Sequence, residues 1–287
     1  AACRGRSTAV PRLPRLGLGV RPRLERGPPL RLQPPPRFPP YWREEHRMSE
    51  PYYADEFVTL YHGDCRVFMP SLSWDSVITD PPYGTGYYPT DTDVFTPPLL
   101  ASLAGSGPCA VFGYPEWLVG LCVEAGIVPS EWVTWWASNA ATKSAPTRSI
   151  ARETECIAIF GKVGSVKVPR SPGGLRQDYK GSKQRGTSNG DPASRYASDV
   201  WTDAAPGVGF HHHLRQHPNE KPLSVGSKLV QAVGGACILD PFAGSGTFLI
   251  AAKQAGRKAI GIELVEEHCD TAAKRLAQGV LDFGAPS

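Results

Sequence analysis

The amino-acid sequence predicts an α/β protein with a mostly parallel, doubly wound sheet, in which helices cover both faces. Short β-branched or apolar runs alternate with amphipathic stretches from about residue 55 onward. Two unusual segments follow such runs: Asp-Pro-Pro-Tyr at 80–83 and a glycine-rich segment at 240–247. In an open parallel sheet, ligands bind where strands end, so these two segments are the first candidates for a site.

The individual elements are predicted from periodicity and from start and stop residues. Strands are expected at 57–61, 76–79, 109–112, 132–136, 156–160, 236–239 and 258–262. Helices are expected at 66–72, around 99–103, and at 115–125, 222–233, 248–255 and 266–278. Residues 161–216 show no regular pattern and are rich in Gly, Ser and Pro, which predicts a long functional or disordered segment.

Residues 1–47, called the leader here, differ from the rest of the 287-residue chain. The leader contains 11 Arg and 10 Pro, no Lys or Asp, and three Glu. Such a composition cannot bury a core, so we expect disorder. Our hypothesis is that translation starts at Met48; a basic tail that binds nucleic acid is the alternative.

Charge is distributed unevenly along the chain. The leader carries +8 and the remainder −4, so the net charge of +4 says little about partners. Residues 162–200 hold eight basic and three acidic side chains, a local basic region of the kind that contacts nucleic acid.

The cysteines and the hydropathy pattern bear on the compartment. The seven cysteines are scattered and form no C-x-x-C pair, which favours buried thiols over disulfides or zinc ligands. No apolar run approaches the roughly 20 residues that a membrane span needs, and no secretory signal is recognisable. We therefore expect a cytoplasmic protein without a membrane partner.

The segment at 80–83, called the proline turn here, ends the predicted strand 76–79. Pro81 and Pro82 fix φ and remove two backbone donors, so the turn is stiff. Asp80 supplies a carboxylate, Pro81 a carbonyl and Tyr83 an aromatic face, which together suit a planar ring with an exocyclic amino group. Taken alone, the turn is equally compatible with a strand end that has no further role.

The segment at 240–247, called the glycine loop here, has the sequence Asp-Pro-Phe-Ala-Gly-Ser-Gly-Thr. It lacks the third glycine of a dinucleotide fingerprint and the Gly-Lys-Ser/Thr of a P-loop. A nucleoside cofactor without a pyrophosphate fits better; S-adenosylmethionine is one, and its ammonium group would face Asp240. Glu263 ends the next strand, where an acid accepts hydrogen bonds from ribose hydroxyls.

Three segments in this order resemble the β group of DNA amino-methyltransferases: the proline turn, His-Pro-Asn-Glu-Lys-Pro at 217–222, and the glycine loop. The resemblance covers roughly residues 55–281 and includes His-Gly-Asp-Cys at 62–65 and the strand at 154–162. It implies a Rossmann-like sheet with circularly permuted motif order. It further implies a catalytic half at 48–161, a target-recognition insert at 162–216 and a cofactor-binding half at 217–287.

The resemblance also implies roles for individual residues. Asp80 and the Pro81 carbonyl would accept hydrogen bonds from the target amine, with Pro82 and Tyr83 completing the catalytic set and Tyr83 stacking on a flipped-out base. Asp64 would contact the cofactor adenine, and Lys221 would lie near the same pocket. The implied cofactor-binding residues are Asp64, Lys221, Asp240, Phe242, Gly244, Gly246, Thr247 and Glu263.

The insert is expected to bind double-stranded DNA through its basic side chains. The candidates are Lys167, Arg170, Arg176, Lys180, Lys183, Arg185 and Arg195. Arg148 and Arg152 are either DNA clamps or solvated loop charges. Three adjacent histidines at 211–213 cannot readily face one ion, so no metal is expected.

The resemblance favours transfer of a methyl group to N6 of adenine, because Asp at the first position of the proline turn leans that way in the family. N4 of cytosine is the alternative target, and RNA or protein-amide substrates share the same chemistry. From other classes, a nucleotide-dependent oxidoreductase and a DNA-binding module without activity are alternatives; the incomplete dinucleotide fingerprint argues against the first.

Overall fold

A computed structural model describes residues 50–83, 95–136, 154–169, 194–197, 199–203 and 220–278. The leader, whose predicted disorder and alternative tail function concern residues 1–47, lies outside these ranges, as does Met48. Within the described ranges, no helix combines the length and apolar character that a membrane span needs.

The described elements alternate between strands and helices. The first half comprises β1 (Tyr53–Ala54), β2 (Val58–His62), α1 (Cys65–Phe68), β3 (Ser76–Thr79), α2 (Pro97–Ser106), β4 (Cys109–Gly113), α3 (Pro115–Ala125), β5 (Glu131–Trp136) and β6 (Thr154–Phe160). The remainder comprises β7 (Lys167–Pro169), β8 (Ser194–Tyr196), β9 (Val200–Trp201), α4 (Leu223–Val233), β10 (Cys237–Asp240), α5 (Thr247–Gln254), β11 (Lys258–Glu263) and α6 (Glu266–Ala277).

Nine of the described strands form one mixed sheet in the order β1-β2-β11-β10-β3-β4-β6-β5-β9. The five strands from β2 to β4 in this order run parallel, β6 is antiparallel to both β4 and β5, and β9 is parallel to β5. The strands nearest the carboxyl terminus, β10 and β11, lie between β2 and β3. The predicted mostly parallel sheet is thus confirmed.

Helices cover both faces of this sheet, as predicted. Ile78 of β3 and Phe112 of β4 pack on one face with α4, α5 and α6. Val77 and Val111 point to the other face and pack with α1, α2 and α3. Alternate residues of central strands are therefore buried on opposite sides, which explains why consecutive residues such as Val77 and Ile78 are both apolar.

Two predictions about local structure were wrong. Residues 66–72 do not form one helix: α1 ends at Phe68, and Met69–Ser71 form a separate 3-10 turn. Pro70 lies in the first turn of the 3-10 element, where a missing backbone N–H is tolerated. In the interior of an α-helix, the same proline would remove a hydrogen bond and break the helix.

The insert also contains regular structure that its composition did not predict. β7 and β8 pair antiparallel, and β9 extends the main sheet beside β5. Trp201 of β9 is only 4% exposed, and the burial of this side chain stabilises a strand that is only two residues long. The boundaries proposed for the three parts of the chain stay predictions.

Candidate active site

Four acidic residues lie at the carboxyl edge of the sheet, each at or just after the end of a parallel strand. Asp64 follows β2, Asp80 follows β3, Asp240 ends β10 and Glu263 ends β11. These strands are neighbours in the order β2-β11-β10-β3. The glycine loop and the proline turn therefore open side by side, 160 residues apart in sequence, because β10 and β3 are parallel neighbours.

One hydrogen bond joins the two segments directly. Thr79, the last residue of β3, donates its hydroxyl to Oδ1 of Asp240 at 3.1 Å. Both side chains are buried, with 0% and 1% exposure. The ends of β3 and β10 are thereby held together beneath the site.

The carboxylate of Asp80 accepts hydrogen bonds on both oxygens. The Tyr83 hydroxyl donates to Oδ1, and the Lys221 ammonium approaches Oδ2 at 2.6 Å. Burial raises the pKa of the Tyr83 hydroxyl, and the nearby carboxylates of Asp80 and Glu155 raise it further, so the hydroxyl remains a proton donor. Asp80 is consequently held in one orientation, with 17% of its side chain exposed.

Lys221 is buried against aromatic rings and carboxylates. Its Nζ lies 5.2 Å from the centre of the Phe112 ring and 5.8 Å from that of Trp135. Burial by itself would lower the Lys221 pKa, but the charges of Asp80 and Glu155 outweigh it and raise that pKa above its ordinary value. Lys221 is therefore a permanent cation at the proline turn.

Tyr83 packs within a row of aromatic rings. Its ring centre lies 4.9 Å from that of Tyr114 and 5.1 Å from that of Trp117. Phe95 continues the row, 5.8 Å from both Trp117 and Phe242. The row runs from the proline turn to the glycine loop, so an apolar wall connects the two segments.

Asp240 carries an orphaned acceptor. Its Oδ1 accepts from Thr79 and from the backbone N–H of Phe242 at 3.2 Å, whereas the buried Oδ2 has no partner among the described residues. Burial raises the pKa of Asp240 to about 8. A buried carboxylate oxygen without a donor is costly, so this atom fits a cationic group such as the ammonium of S-adenosylmethionine.

Glu263 supports the glycine loop from below. Its Oε2 accepts from the N–H of Gly244 at 2.7 Å, and its Oε1 accepts from the N–H of Val265 at 2.9 Å. Burial acts to raise the Glu263 pKa, but hydrogen bonds from His268 and these two amides outweigh it and lower that pKa. Glu263 is thus an ionised carboxylate beside the loop.

Arg275 of α6 contacts the glycine loop from behind. Its guanidinium donates to the Ser245 carbonyl at 2.7 Å and to the Ser245 hydroxyl at 2.8 Å, and pairs with Glu220 at 2.8 Å. It also lies 3.3 Å from the Thr247 hydroxyl. The sequence analysis did not select Arg275, whose only sequence signal was its place near a helix end.

Gly244 and Gly246 both adopt positive φ, at +50° and +79°. A Cβ on Gly244 would point into open space, whereas one on Gly246 would lie 3.1 Å from the Cβ of Ala272. Open space in front of Gly244 fits the close approach of a cofactor, and the tight contact behind Gly246 seats α5 on α6.

Substituting these two glycines is expected to have separable effects. Gly246→Ala should lower the free energy of unfolding by about 1–2 kcal/mol or more, because left-handed strain and the Ala272 contact add. Gly244→Ala should carry a similar strain but weaken cofactor binding about tenfold, since its methyl group fills the open space. Thermal denaturation and calorimetric titration measure the two effects.

Gly256→Ala, just after α5, is the matched control for both glycine substitutions, because Gly256 also has a positive φ of +66° and no heavy atom lies within 4 Å of its added Cβ. Wild-type cofactor affinity in Gly244→Ala would contradict the assignment of that open space to the cofactor.

Comparison with known proteins identifies the family. Residues 101–274, more than half of the chain, match the family model described as DNA methylase of the N6/N4 group. The chain belongs to this DNA methylase family. It is accordingly an S-adenosylmethionine-dependent DNA amino-methyltransferase, as the resemblance of the three segments implied.

Individual relatives agree with this assignment. This chain is 26% identical over 266 residues to the Type II methyltransferase M.ScaI of Streptomyces caespitosus. The match covers 80% of this chain and 84% of M.ScaI. Among solved structures, the PvuII DNA methyltransferase (cytosine-N4-specific) superposes with a TM-score of 0.54 at 15% identity, covering 83% and 91% of the two chains. The M1.HpyAVI–SAM complex superposes at 0.50 with 22% identity, covering 76% and 99%. These two structures show the shared fold.

Most predicted site residues of this DNA methylase lie together at the carboxyl edge. The proline turn and the glycine-loop residues Asp240, Phe242, Gly244, Gly246 and Thr247 are adjacent, and Glu263 lies beside them. Asp64 caps α1 and pairs with the Arg66 guanidinium, which lowers the Asp64 pKa. Lys221 pairs with Asp80 of the proline turn, and its expected place near the cofactor pocket stays a prediction.

The predicted DNA contacts are only partly described. Lys167 is exposed on β7, and Arg195 lies opposite Val168 in the β7–β8 pair. The remaining candidates Arg170, Arg176, Lys180, Lys183 and Arg185, together with Arg148, Arg152 and the histidines at 211–213, lie outside the described residues.

Glu155 is a site residue that sequence reasoning missed. It lies near the start of β6, and its Oε2 is 3.1 Å from the Lys221 ammonium. Because β6 is antiparallel to β4, with Cys156 opposite Gly113, the beginning of β6 meets the carboxyl edge of the parallel strands. In the sequence, Glu155 is an acid that precedes an apolar run. That pattern does not show whether the strand runs parallel or antiparallel to its neighbours.

Proposed function

We propose that the chain methylates the N6 amino group of adenine in double-stranded DNA. The observation that carries this proposal is the Asp80 carboxylate at the end of β3, joined through Thr79 to a buried Asp240 whose Oδ2 has no partner among the described residues. The Asp80 carboxylate suits a planar amine, and the Asp240 carboxylate suits a cationic cofactor. The choice of adenine rests on the Asp at the first position of the proline turn.

The chain's own residues would activate the amine by accepting its hydrogen bonds. An exocyclic amine is a poor nucleophile because its lone pair is delocalised into the ring. Acceptors at the Asp80 carboxylate and the Pro81 carbonyl favour a localised lone pair, and their fixed positions supply rate through alignment and electrostatics. S-adenosylmethionine, when bound, supplies an electrophilic methyl carbon on a sulfonium.

The aromatic row would bind the base. Tyr83, backed by Tyr114 and Trp117, presents an aromatic surface beside Asp80. Stacking on such a surface offsets the free energy of removing a base from the duplex. Pro82 keeps the turn rigid while the base enters.

The glycine loop would hold the cofactor. Asp240 faces the ammonium group, Gly244 allows close approach of the methionine part, and Phe242 contributes an apolar wall. Thr247 and Gly246 begin α5, and Glu263 orders the loop and accepts from ribose hydroxyls. Asp64 is expected at the adenine end, on the far side of Glu263 from Asp80.

The basic side chains of the insert would contact DNA phosphates. Lys167 is exposed on β7, where its ammonium group could reach a DNA phosphate. Such contacts make binding weaken with salt, because each neutralised phosphate releases counterions. The other insert candidates, from Arg170 to Arg195, are proposed to act in the same way.

A second target, N4 of cytosine, is favoured by one observation. The fold superposes on the PvuII methyltransferase, which is cytosine-N4-specific, over 83% of this chain. Asp80 and Tyr83 would bind the amino group and ring of either base, since both are planar amines.

The experiment that separates the two targets measures the product directly. The protein is incubated with duplex DNA and methyl-labelled S-adenosylmethionine, and the DNA is digested to nucleosides and separated. Label in N6-methyl-2′-deoxyadenosine is the expected result, and label in N4-methyl-2′-deoxycytidine would support the second target instead. Single-stranded DNA and RNA of the same sequence test the choice of duplex.

A further inference from the structure

Asp80, Tyr83, Glu155 and Lys221 form a buried cluster at the proline turn. We propose that Glu155 is a positioning residue: by sharing the Lys221 ammonium with Asp80, it keeps the cluster net negative and leaves Asp80 able to accept from the target amine. This inference rests on the proposed function and concerns a residue outside the proline turn and the glycine loop.

The geometry places one ammonium between two carboxylates. Nζ of Lys221 is 2.6 Å from Oδ2 of Asp80 and 3.1 Å from Oε2 of Glu155. The Lys221 side chain is 7% exposed and the Glu155 side chain 26%, so water screens this group little. Burial raises the pKa of the Glu155 carboxyl, and the charge of Lys221 opposes that rise. With both acids ionised, the four side chains carry a net charge of −1.

Tyr83 completes the cluster from the other side. Its hydroxyl donates to Asp80 and lies 3.4 Å from Oε2 of Glu155. The single hydroxyl proton serves one carboxylate at a time, and the shorter contact is with Asp80. Tyr83 therefore does not neutralise either acid, and Lys221 is the only cation among the contacts described for this cluster.

The net charge matters because of where positive charge develops during the reaction. When the target nitrogen accepts the methyl group, its lone pair forms the N–C bond and the C–S bonding pair stays on sulfur, which becomes a neutral thioether. The methylated amine is then cationic until it releases one proton to water. A net negative, partly buried cluster stabilises that cation, whereas a one-to-one Asp80–Lys221 pair would be neutral. Glu155 thus separates two functions: Lys221 orients Asp80, and Glu155 offsets the charge that Lys221 brings.

Charge substitutions test this role. Glu155→Gln, which preserves shape, makes the cluster neutral and should slow single-turnover methyl transfer by about tenfold to a hundredfold. The double variant Glu155→Gln/Lys221→Met restores the net charge of −1 and should transfer several times faster than Glu155→Gln. A purely structural Glu155 predicts the reverse, because two removed contacts would be worse than one.

The controls separate chemistry from folding and from cofactor binding. Glu131→Gln alters an exposed acid on the neighbouring strand β5 and should match the wild type. Thermal midpoints and calorimetric affinities for S-adenosylmethionine should be similar for Glu155→Gln and Glu131→Gln, because the glycine loop is untouched.

Two outcomes would overturn the inference while leaving the proposed function intact. They are a wild-type rate in Glu155→Gln, and a double variant slower than Glu155→Gln, each in a series whose wild type transfers methyl groups to DNA. Failure of the wild type itself, with folded protein and bound cofactor, would instead refute the proposed function and this inference together.

Discussion

Replacing Asp80 by alanine is expected to lower methyl transfer to DNA by about 100- to 1000-fold, the effect of removing one preorganised polar group from an active site. Asp80 accepts from Tyr83 and pairs with Lys221, so its loss removes the acceptor and also frees the groups that orient it. Single-turnover transfer of labelled methyl groups measures the effect. Affinity for S-adenosylmethionine should not change, because Asp80 is not part of the glycine loop.

The matched control is Asp270→Ala, which removes an exposed carboxylate of α6 that accepts only from the Tyr52 hydroxyl in the described contacts. That variant should transfer methyl groups at the wild-type rate. If Asp80→Ala does the same while folded, the assignment of the proline turn to catalysis is wrong.

Cofactor affinity is expected to rise with pH between 6 and 8. Burial raises the pKa of Asp240 to about 8, so below that pH the carboxyl of the free protein is protonated. Binding an ammonium group at Oδ2 requires the ionised form, and the proton must leave. Affinity should therefore increase by up to about tenfold per pH unit and level off near pH 8, as calorimetry across this range would measure.

The raised pKa of Asp240 also predicts that the stability of the cofactor-free protein falls with pH, whereas cofactor affinity rises. A carboxyl whose folded pKa is raised stabilises the fold below its unfolded pKa of about 4 and loses this contribution as pH rises toward 8. The thermal midpoint without cofactor should accordingly fall across that range, more than in Asp240→Asn. Asp240→Asn should also bind the cofactor weakly at every pH; a pH slope equal to that of the wild type would show that another group titrates.

Much of the fold was predictable because local signals agreed with tertiary packing. The helix at 115–125 begins with Pro115 and ends before Gly126, whose φ is +66°, and the structure has the same bounds. Strand 76–79 also matches, since its four residues are all buried. Residues 66–72 failed because Pro70 interrupts an otherwise amphipathic pattern, and β9 was missed because two residues are too few to show periodicity.

The sequence by itself determined the family, the parallel sheet, the proline turn and the glycine loop, because each depends on short-range features: prolines that fix φ, glycines with positive φ, and buried apolar runs. Only the tertiary structure decided the partners of Lys221 and Glu155, and the orphaned Oδ2 of Asp240. Those features depend on antiparallel β6 meeting the carboxyl edge and on burial by distant strands. Neither the position of β6 nor the burial by distant strands can be inferred from a short stretch of sequence. The charge balance around Asp80 is therefore set only when the chain is folded.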